Sequence, residues 1–277
     1  MLGLRRLVRE ALGEDVGQGD VTTKLTVPAD ARCRVRLTAK QDGVLSGIAV
    51  FRSVFDMLKA RVQHWEAVED GARFVSGDVL ARFEGNTAAV LTGERVALNF
   101  VQRLSGIATI TRQYADAVDG LDTRICDTRK TTPLMRSLEK QAVMHGGGAN
   151  HRFGLFDGVL IKENHIVAAG GVGNAVHKTI RGTHHLMKVG VEVTNLTELK
   201  EALDAGADSI LLDNMSLEMM AKAVKLAKKR NVVLEASGNV TLARVRAIAE
   251  TGVHYISVGE LTHSAPSVDL SLLIENA

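Results

Sequence analysis

Hydrophobic positions follow two rhythms along this chain. Between about residues 30 and 85 they recur at every second position. In ARCRVRLTAK, Cys33, Val35, Leu37 and Ala39 alternate with Arg32, Arg34, Arg36 and Thr38. A period of two predicts a strand with one wet face. Further strands are expected around VLSGI, HWEAV and DVLARFEG, set apart by Asp-Gly and Ser-Gly turns and interrupted by one helix, FRSVFDMLKA. Ahead of this region Leu4, Leu7, Val8 and Leu12 share one helical face among charges, which predicts a surface helix. Glu10, Glu14 and Asp15 distinguish it from a transit peptide, and it lacks the continuous apolar core of a signal peptide.

Residues 87–118 form one long helical pattern, carried by Val90, Leu91, Val96, Leu98, Val101 and Leu104. Gly106 is expected to break or bend it, with Arg103 near that break. After residue 122 short apolar runs alternate with helical segments: TRICDTRK, DGVLIKEN, LMKVGVEVTN, DSILLDN, NVVLEASGN and YISVGELTHS. The last four recur about every 21 to 24 residues, the length of one βα unit. Thr194-Asn195-Leu196-Thr197-Glu198 predicts a capped helix start, and Asp204-Ala205-Gly206 its end. Such a series predicts a (β/α) barrel or a doubly wound parallel sheet behind a small α/β layer structure.

Composition narrows the picture. Of 277 residues, 45% are hydrophobic and only 4% aromatic, so the core is expected to consist of Ala, Val, Leu and Ile. A formal net charge of +2 argues against a nucleic-acid or membrane-surface binder. No run approaches the ~18 apolar residues of a membrane span. Cys33 and Cys126 are too few and too unpatterned for a disulfide framework or a zinc site, and read as free thiols in a reducing cytosol.

Against that balance, DTRKTTPLMRSLEKQAVMHGGGANHR, residues 127–152, is locally cationic through Arg129, Lys130, Arg136 and Lys140. A small anionic ligand explains local charge better than a polyanion does. In either architecture ligands bind where strands end. The residues just past the apolar runs are Asp127 to Lys130, Lys162 to His165, Glu192, Asp213-Asn214, Glu235 to Gly238, and Gly259-Glu260. Early positions supply cations: Arg129, Lys130, His151, Arg152 and Lys162, suited to carboxylates or phosphates. Glu192 and Asp213 are hard oxygen donors for Mg²⁺ or sugar hydroxyls. ASGNVT and SVGELTHS are glycine turns between strand and helix, where backbone N–H groups seat a phosphate. Each has a plainer reading: ordinary turns, helix caps, ion pairs, or, for His151, a structural histidine. The clustering at successive strand ends carries the functional case. His64, His145, His177, His184, His185, His254 and His263 are expected at the surface.

The blocks DTRKTTP, LEKQAV, GGGANHRFGL, LIKENHI, VEVTN, LLDN, LEASGNV and SVGELTHSAP, in this order, resemble the quinolinate phosphoribosyltransferase family. GEDVGQGDVTT and QRLSGIAT extend the likeness over nearly the whole chain. The resemblance implies an α/β fold: an N-terminal α/β sandwich domain over residues 1–105 and an incomplete, open β/α barrel over 106–266, with 267–277 packing back on the first. It implies phosphoribosyl transfer from phosphoribosyl pyrophosphate to quinolinate with loss of CO₂, Mg²⁺ as cofactor, and a homodimer in which Arg103 reaches the partner's site. Arg129, Lys130, His151, Arg152 and Lys162 would hold the two carboxylates of quinolinate, with Thr128 also at the substrate. Glu192 and Asp213 would address the ribose and Mg²⁺. Ser237, Gly238, Asn239, Gly259 and Glu260 would bind the 5′-phosphate, and Lys130, Lys162, Glu192 and Asp213 would be catalytic. Three positions depart from the family pattern: TTPLMR lacks a glycine after Pro133, Asn239 replaces a second phosphate-loop glycine, and Glu163 replaces an aspartate. The alternatives are a relative of the same fold found with molybdate transport genes, and a non-catalytic barrel that binds phosphosugars or serves as a scaffold.

Overall fold

A computed structural model describes residues 2–276. The first half contains α1 (Leu2–Val16), α2 (Val21–Thr26), β1 (Arg32–Ala39), β2 (Gly43–Val44), α3 (Ile48–Met57), β3 (Gln63–Ala67), β4 (Arg73–Phe74), β5 (Val79–Asn86) and α4 (Thr87–Ala117). Then come β6 (Arg124–Cys126), α5 (Arg136–His145), β7 (Val159–Ile161), α6 (Glu163–Ala169), α7 (Val172–Gly182), β8 (Val189–Val193) and α8 (Leu196–Asp204). The chain closes with β9 (Ser209–Asp213), α9 (Leu217–Ala227), β10 (Val233–Ser237), α10 (Leu242–Ala249), β11 (Tyr255–Ser257), α11 (Glu260–His263) and β12 (Leu270–Asn276). These elements sort into two compact units. One holds the residues up to Arg112, Thr132–Gly147 and those from Ser264 on; the other holds Gln113–Thr131 and Gly148–His263.

The first unit is built on an antiparallel sheet in the order β12-β1-β5-β3. The alternation in β1 has the expected outcome: Cys33, Val35, Leu37 and Ala39 are at most 1% exposed, while Arg34 and Arg36 pair with Glu84 and Glu275 on the outer face. Its core differs from the expectation of a purely aliphatic one. Phe51, Phe55, Trp65 and Phe83 form a continuous aromatic cluster with centroids 5.1–6.3 Å apart. The chain's few aromatics are concentrated where a small sheet must bury much area with few side chains. VLSGI is not a full strand either. Val44 ends the two-residue β2, and Gly47, at φ 101°, turns the chain into α3.

Helix α4 runs unbroken for 31 residues, so Gly106 neither breaks nor bends it into two, and Arg103 lies within the helix. The glycine serves a close approach instead: a Cβ there would stand 1.9 Å from the Pro266 carbonyl oxygen. The returning chain is fastened beside it, where Val268 N–H donates to the Gln102 carbonyl and Gln102 Nε2 to the Leu270 carbonyl. From there it continues into β12, which pairs antiparallel with β1.

The second unit is an open six-stranded parallel sheet in the order β6-β11-β10-β9-β8-β7. Asn195 caps α8 by accepting from Thr197 N–H and Glu198 N–H, and Gly206 takes the left-handed turn (φ 84°) after it, as expected. Strands β8, β9 and β10 are buried through their centres because helices cover a parallel sheet. Ala149 adds a parallel bridge to Cys126 alongside β6. No helix among the described residues is long and apolar enough to cross a membrane.

Two substitutions should move stability in opposite directions. Gly106→Ala forces apart a helix and a fixed backbone carbonyl, and should cost about 1–3 kcal/mol. Leu134 occupies the position after Pro133 with φ 65° and is 79% exposed, a left-handed leucine held by no core packing. Relief of that conformation, partly offset by unfolded-chain entropy, should make Leu134→Gly neutral to about 1 kcal/mol stabilising. Chemical denaturation of both variants measures the two effects.

Candidate active site at the strand ends

Parallel pairing aligns the polar ends of the strands. Ser237 lies opposite Asp213, and Glu192 opposite Leu211, so the acids in the last residues of β8 and β9 and the loop after β10 share one edge of the sheet. At the end of β7, Lys162 Nζ donates to Glu192 Oε2 at 2.7 Å, a pair whose lysine side chain is half exposed. After β9, Asn214 Nδ2 donates to Asp213 Oδ2 at 3.0 Å.

The segment after β6 is shaped by its own backbone. Lys130 N–H donates to Thr128 Oγ1, and the Lys130 carbonyl accepts from Thr262 Oγ1 at 2.7 Å. The Lys130 chain lies so close to Gly259 that a Cβ on the glycine would be 3.2 Å from Lys130 Cδ and from the His263 ring. Lys130, Gly259 and His263 therefore meet, with His263 exposed as expected. Asp127, fully buried, accepts His151 N–H at 2.7 Å and so ties the NHR segment to the end of β6.

His151 also departs from expectation. Arg152 N–H donates to His151 Nδ1 at 2.7 Å, so that nitrogen carries no proton. In this geometry the ring is neutral, with its proton on Nε2: a donor, not one of the cations. Arg152 Nη1 donates to the Gly158 carbonyl, while its buried Nε finds no partner among the described residues. Burial, and next the charge of Arg129, lower the Arg152 pKa, with Asp157 opposing. Arg129 and Arg152 are thus neighbours in a partly desolvated place.

Glu260 does not turn its carboxylate to the strand ends. It accepts from Tyr114 O–H at 2.9 Å, and Tyr114 is 1% exposed with its pKa raised by burial and by this bond. Only the backbone of Gly259-Glu260 is left for an anion. Arg103 belongs to the first unit, where Nη2 meets Glu139 Oε1 at 3.2 Å and Nη1 donates to the Ala265 carbonyl. Lys140 is 3% exposed in that unit and is no part of the strand-end group. Of the other histidines expected at the surface, His145 Nδ1 contacts Ser46 Oγ at 2.9 Å and His254 Nδ1 accepts Leu234 N–H, so both have structural partners.

Sequence reasoning placed Glu235 among the strand-end residues but gave it no role. It is 7% exposed, its Oε1 has no hydrogen-bond partner among the described residues, and its Oε2 is 3.8 Å from His151 Nε2. Burial raises its pKa from 4.5 to about 7; Ser257 and Lys162 pull it down, Glu192 and Asp127 push it up. A charged residue in the middle of the apolar run NVVLEAS was the available signal.

Two family descriptions cover the chain: quinolinate phosphoribosyl transferase, N-terminal domain, over residues 20–105, and the C-terminal domain over 107–273. A probable nicotinate-nucleotide pyrophosphorylase (carboxylating) of Bacillus subtilis is 43% identical over 271 residues, spanning 98% of this chain and 93% of the relative. A mitochondrial quinolinate phosphoribosyltransferase (decarboxylating) of Nicotiana tabacum is 42% identical, spanning 98% of this chain and 82% of the relative. Among solved structures, the nicotinate-nucleotide pyrophosphorylase of Francisella tularensis superposes with TM-score 0.93 at 41% identity, covering 99% of this chain and 96% of that one.

Glu235 makes stability fall with pH. The folded chain keeps a proton up to about pH 7 that the unfolded chain releases near 4.5. Between those values the native state binds more protons, so its stability drops as pH rises, by roughly 3 kcal/mol in total. Glu235→Gln mimics the neutral acid. Its unfolding free energy should match the parent at about pH 4 and exceed it at pH 8, as denaturant titrations at the two pH values will show.

Proposed function

The chain belongs to the quinolinate phosphoribosyl transferase family, and from that premise we propose how its strand-end residues divide the work of the reaction. The enzyme transfers the phosphoribosyl group of phosphoribosyl pyrophosphate to quinolinate, releasing pyrophosphate and CO₂ and leaving nicotinate mononucleotide for NAD synthesis. The observation that carries the assignment of roles is the convergence of Arg129, Lys130, Arg152 and Lys162 with Glu192 and Asp213 in the second unit, at the ends of its parallel strands.

Quinolinate is a dianion, and its co-substrate carries still more negative charge. Arg129 and Arg152 offer bidentate donors to the carboxylates, with Lys130, Lys162, Thr128 and the His151 Nε2–H completing the cradle. Positioning the ring nitrogen against the anomeric carbon is most of the catalysis. Its lone pair forms the new N–C bond as the C–O bond to pyrophosphate breaks, and Glu192 and Asp213 stabilise the cationic character of the ribose carbon in between. The ribosylated nitrogen then draws the electrons of the C–CO₂ bond toward the ring, CO₂ departs, and the carbon takes a proton. Backbone N–H groups at Ser237-Gly238-Asn239 and Gly259-Glu260 seat the 5′-phosphate.

Mg²⁺ fits the donor set as a substrate-borne ion. Among the described residues no group of three or more His, Cys, Asp or Glu forms a metal cage. Glu192 and Asp213 each spend one oxygen on Lys162 or Asn214, and one or two carboxylates together with phosphate oxygens suit this cation. Held there, Mg²⁺ would neutralise charge on the departing pyrophosphate. We place the enzyme in the cytoplasm, where two buried cysteines outside any disulfide suit a reducing setting.

We further assign a homodimer in which Arg103 serves the partner's site. Its side chain remains 25% exposed and lines a cavity with Glu14, Asp15, Phe100 and Met135. The closed symmetry of a two-fold interface would give each site one borrowed arginine.

Purified protein with quinolinate, phosphoribosyl pyrophosphate and Mg²⁺ should release CO₂ and form nicotinate mononucleotide. Nicotinate should turn over at least about fivefold less efficiently, since one carboxylate leaves part of the cradle unmatched, at about 1–3 kcal/mol; equal use of both acids contradicts the cradle. Arg103→Gln, which keeps a donor toward Glu139, and Lys130→Ala should each be nearly inactive. Mixed dimers of the two contain one intact site and should recover about half the parental rate per dimer if the sites act independently. Verified subunit exchange without recovery would refute the shared site.

A further inference from the structure

Two of the described non-glycine residues with left-handed backbone sit side by side at the strand ends: Asn214 at φ 50°, directly after β9, and Asn239 at φ 47°, two residues after β10. Gly238, at φ 87°, precedes Asn239. A Cβ on Gly238 would come within 2.3 Å of Asn214 Oδ1, so the Asn214 amide fills the space that glycine vacates. The backbone adds a tie, since Asn214 N–H donates to the Ser237 carbonyl at 2.9 Å.

Hydrogen bonds then run in one direction through these side chains. Asn239 Nδ2 donates to Asn214 Oδ1 at 3.0 Å, and Asn214 Nδ2 donates to Asp213 Oδ2 at 3.0 Å. The chain of donors fixes which end of the Asn214 amide faces the carboxylate. Bonds in series polarise one another, so the final donor to Asp213 is strengthened by the first. The far end is anchored as well, because Arg244 of α10 donates to the Asn239 carbonyl at 3.1 Å. Asparagine is the side chain that tolerates left-handed backbone and supplies an amide donor. A glycine at 239 could adopt the same backbone but could not donate.

We propose that Asn239 is a positioning residue for Asp213, acting through Asn214. The relay commits Oδ2 of Asp213 to the protein and presents the other oxygen to the ribose of the bound phosphoribosyl group. It also couples the loop that seats the 5′-phosphate to the acid that meets the ribose, so that docking the phosphate sets the carboxylate. The inference rests on the assignment of Asp213 to the ribose.

Asn239→Gly isolates the side chain, because glycine keeps the left-handed backbone without strain. Its turnover number should fall about tenfold, with KM for quinolinate and the melting temperature unchanged. Asn239→Asp, which sets an acceptor against Asn214 Oδ1, should fall further. The decisive readout is a double-mutant cycle with Asp213→Ala, measured in single turnovers where slow reactions remain readable. With Asp213 removed, Asn239→Gly should cost nothing more. Parental turnover in Asn239→Gly, or an equal loss in the two backgrounds, overturns the relay. Full activity of Asp213→Ala alone would instead overturn the role of Asp213, which separates the two failures.

Discussion

Like charges crowded at one end of a parallel sheet are the constraint on which the second unit depends. Arg129 and Arg152 are close enough that one charge burdens the other in a partly dry place. The arrangement is tolerated because the protein supplies acceptors of its own. The Gly158 carbonyl takes Arg152 Nη1, and Glu192 takes Lys162. These contacts are moderate in strength, because a half-exposed pair contributes little. Incoming carboxylates can therefore replace them at small cost, and a dianion relieves repulsion that the protein alone leaves in place.

The acids follow the same logic. Asp127 is spent on His151 N–H, Glu260 on Tyr114, and Glu235 is held near neutrality by burial. In the proposed assignment Glu192 and Asp213 are the acids that meet the ligand, each with one oxygen on Lys162 or Asn214. Tyr114 O–H and the His151 N–H compensate Glu260 and Asp127 by hydrogen bonding, while burial keeps a proton on Glu235 up to about pH 7.

Much of this was legible in the residues. Period-two alternation placed β1 and its wet face, and the βα spacing placed six parallel strands with polar ends. What failed was context that local pattern does not encode. Gly106 reads as a helix breaker, but its reason is a carbonyl from residue 266, far along the chain. VLSGI has strand composition, yet Gly47 turns it into α3. His151 reads as a cation until the Arg152 amide is seen pointing at Nδ1. Lys140 belongs to the cationic stretch in sequence and to the interior in space. Each is a long-range or backbone effect, and each changes a role, not the fold.

The central claim is that the cations at the ends of β6 and β7 read two carboxylates at once. A crystal structure of the protein with quinolinate bound tests it most directly. One carboxylate should lie within hydrogen-bonding distance of Arg129 or Arg152 and the other should draw Lys162 away from Glu192. Quinolinate bound elsewhere, or held through a single carboxylate with the Lys162–Glu192 pair intact, would contradict it.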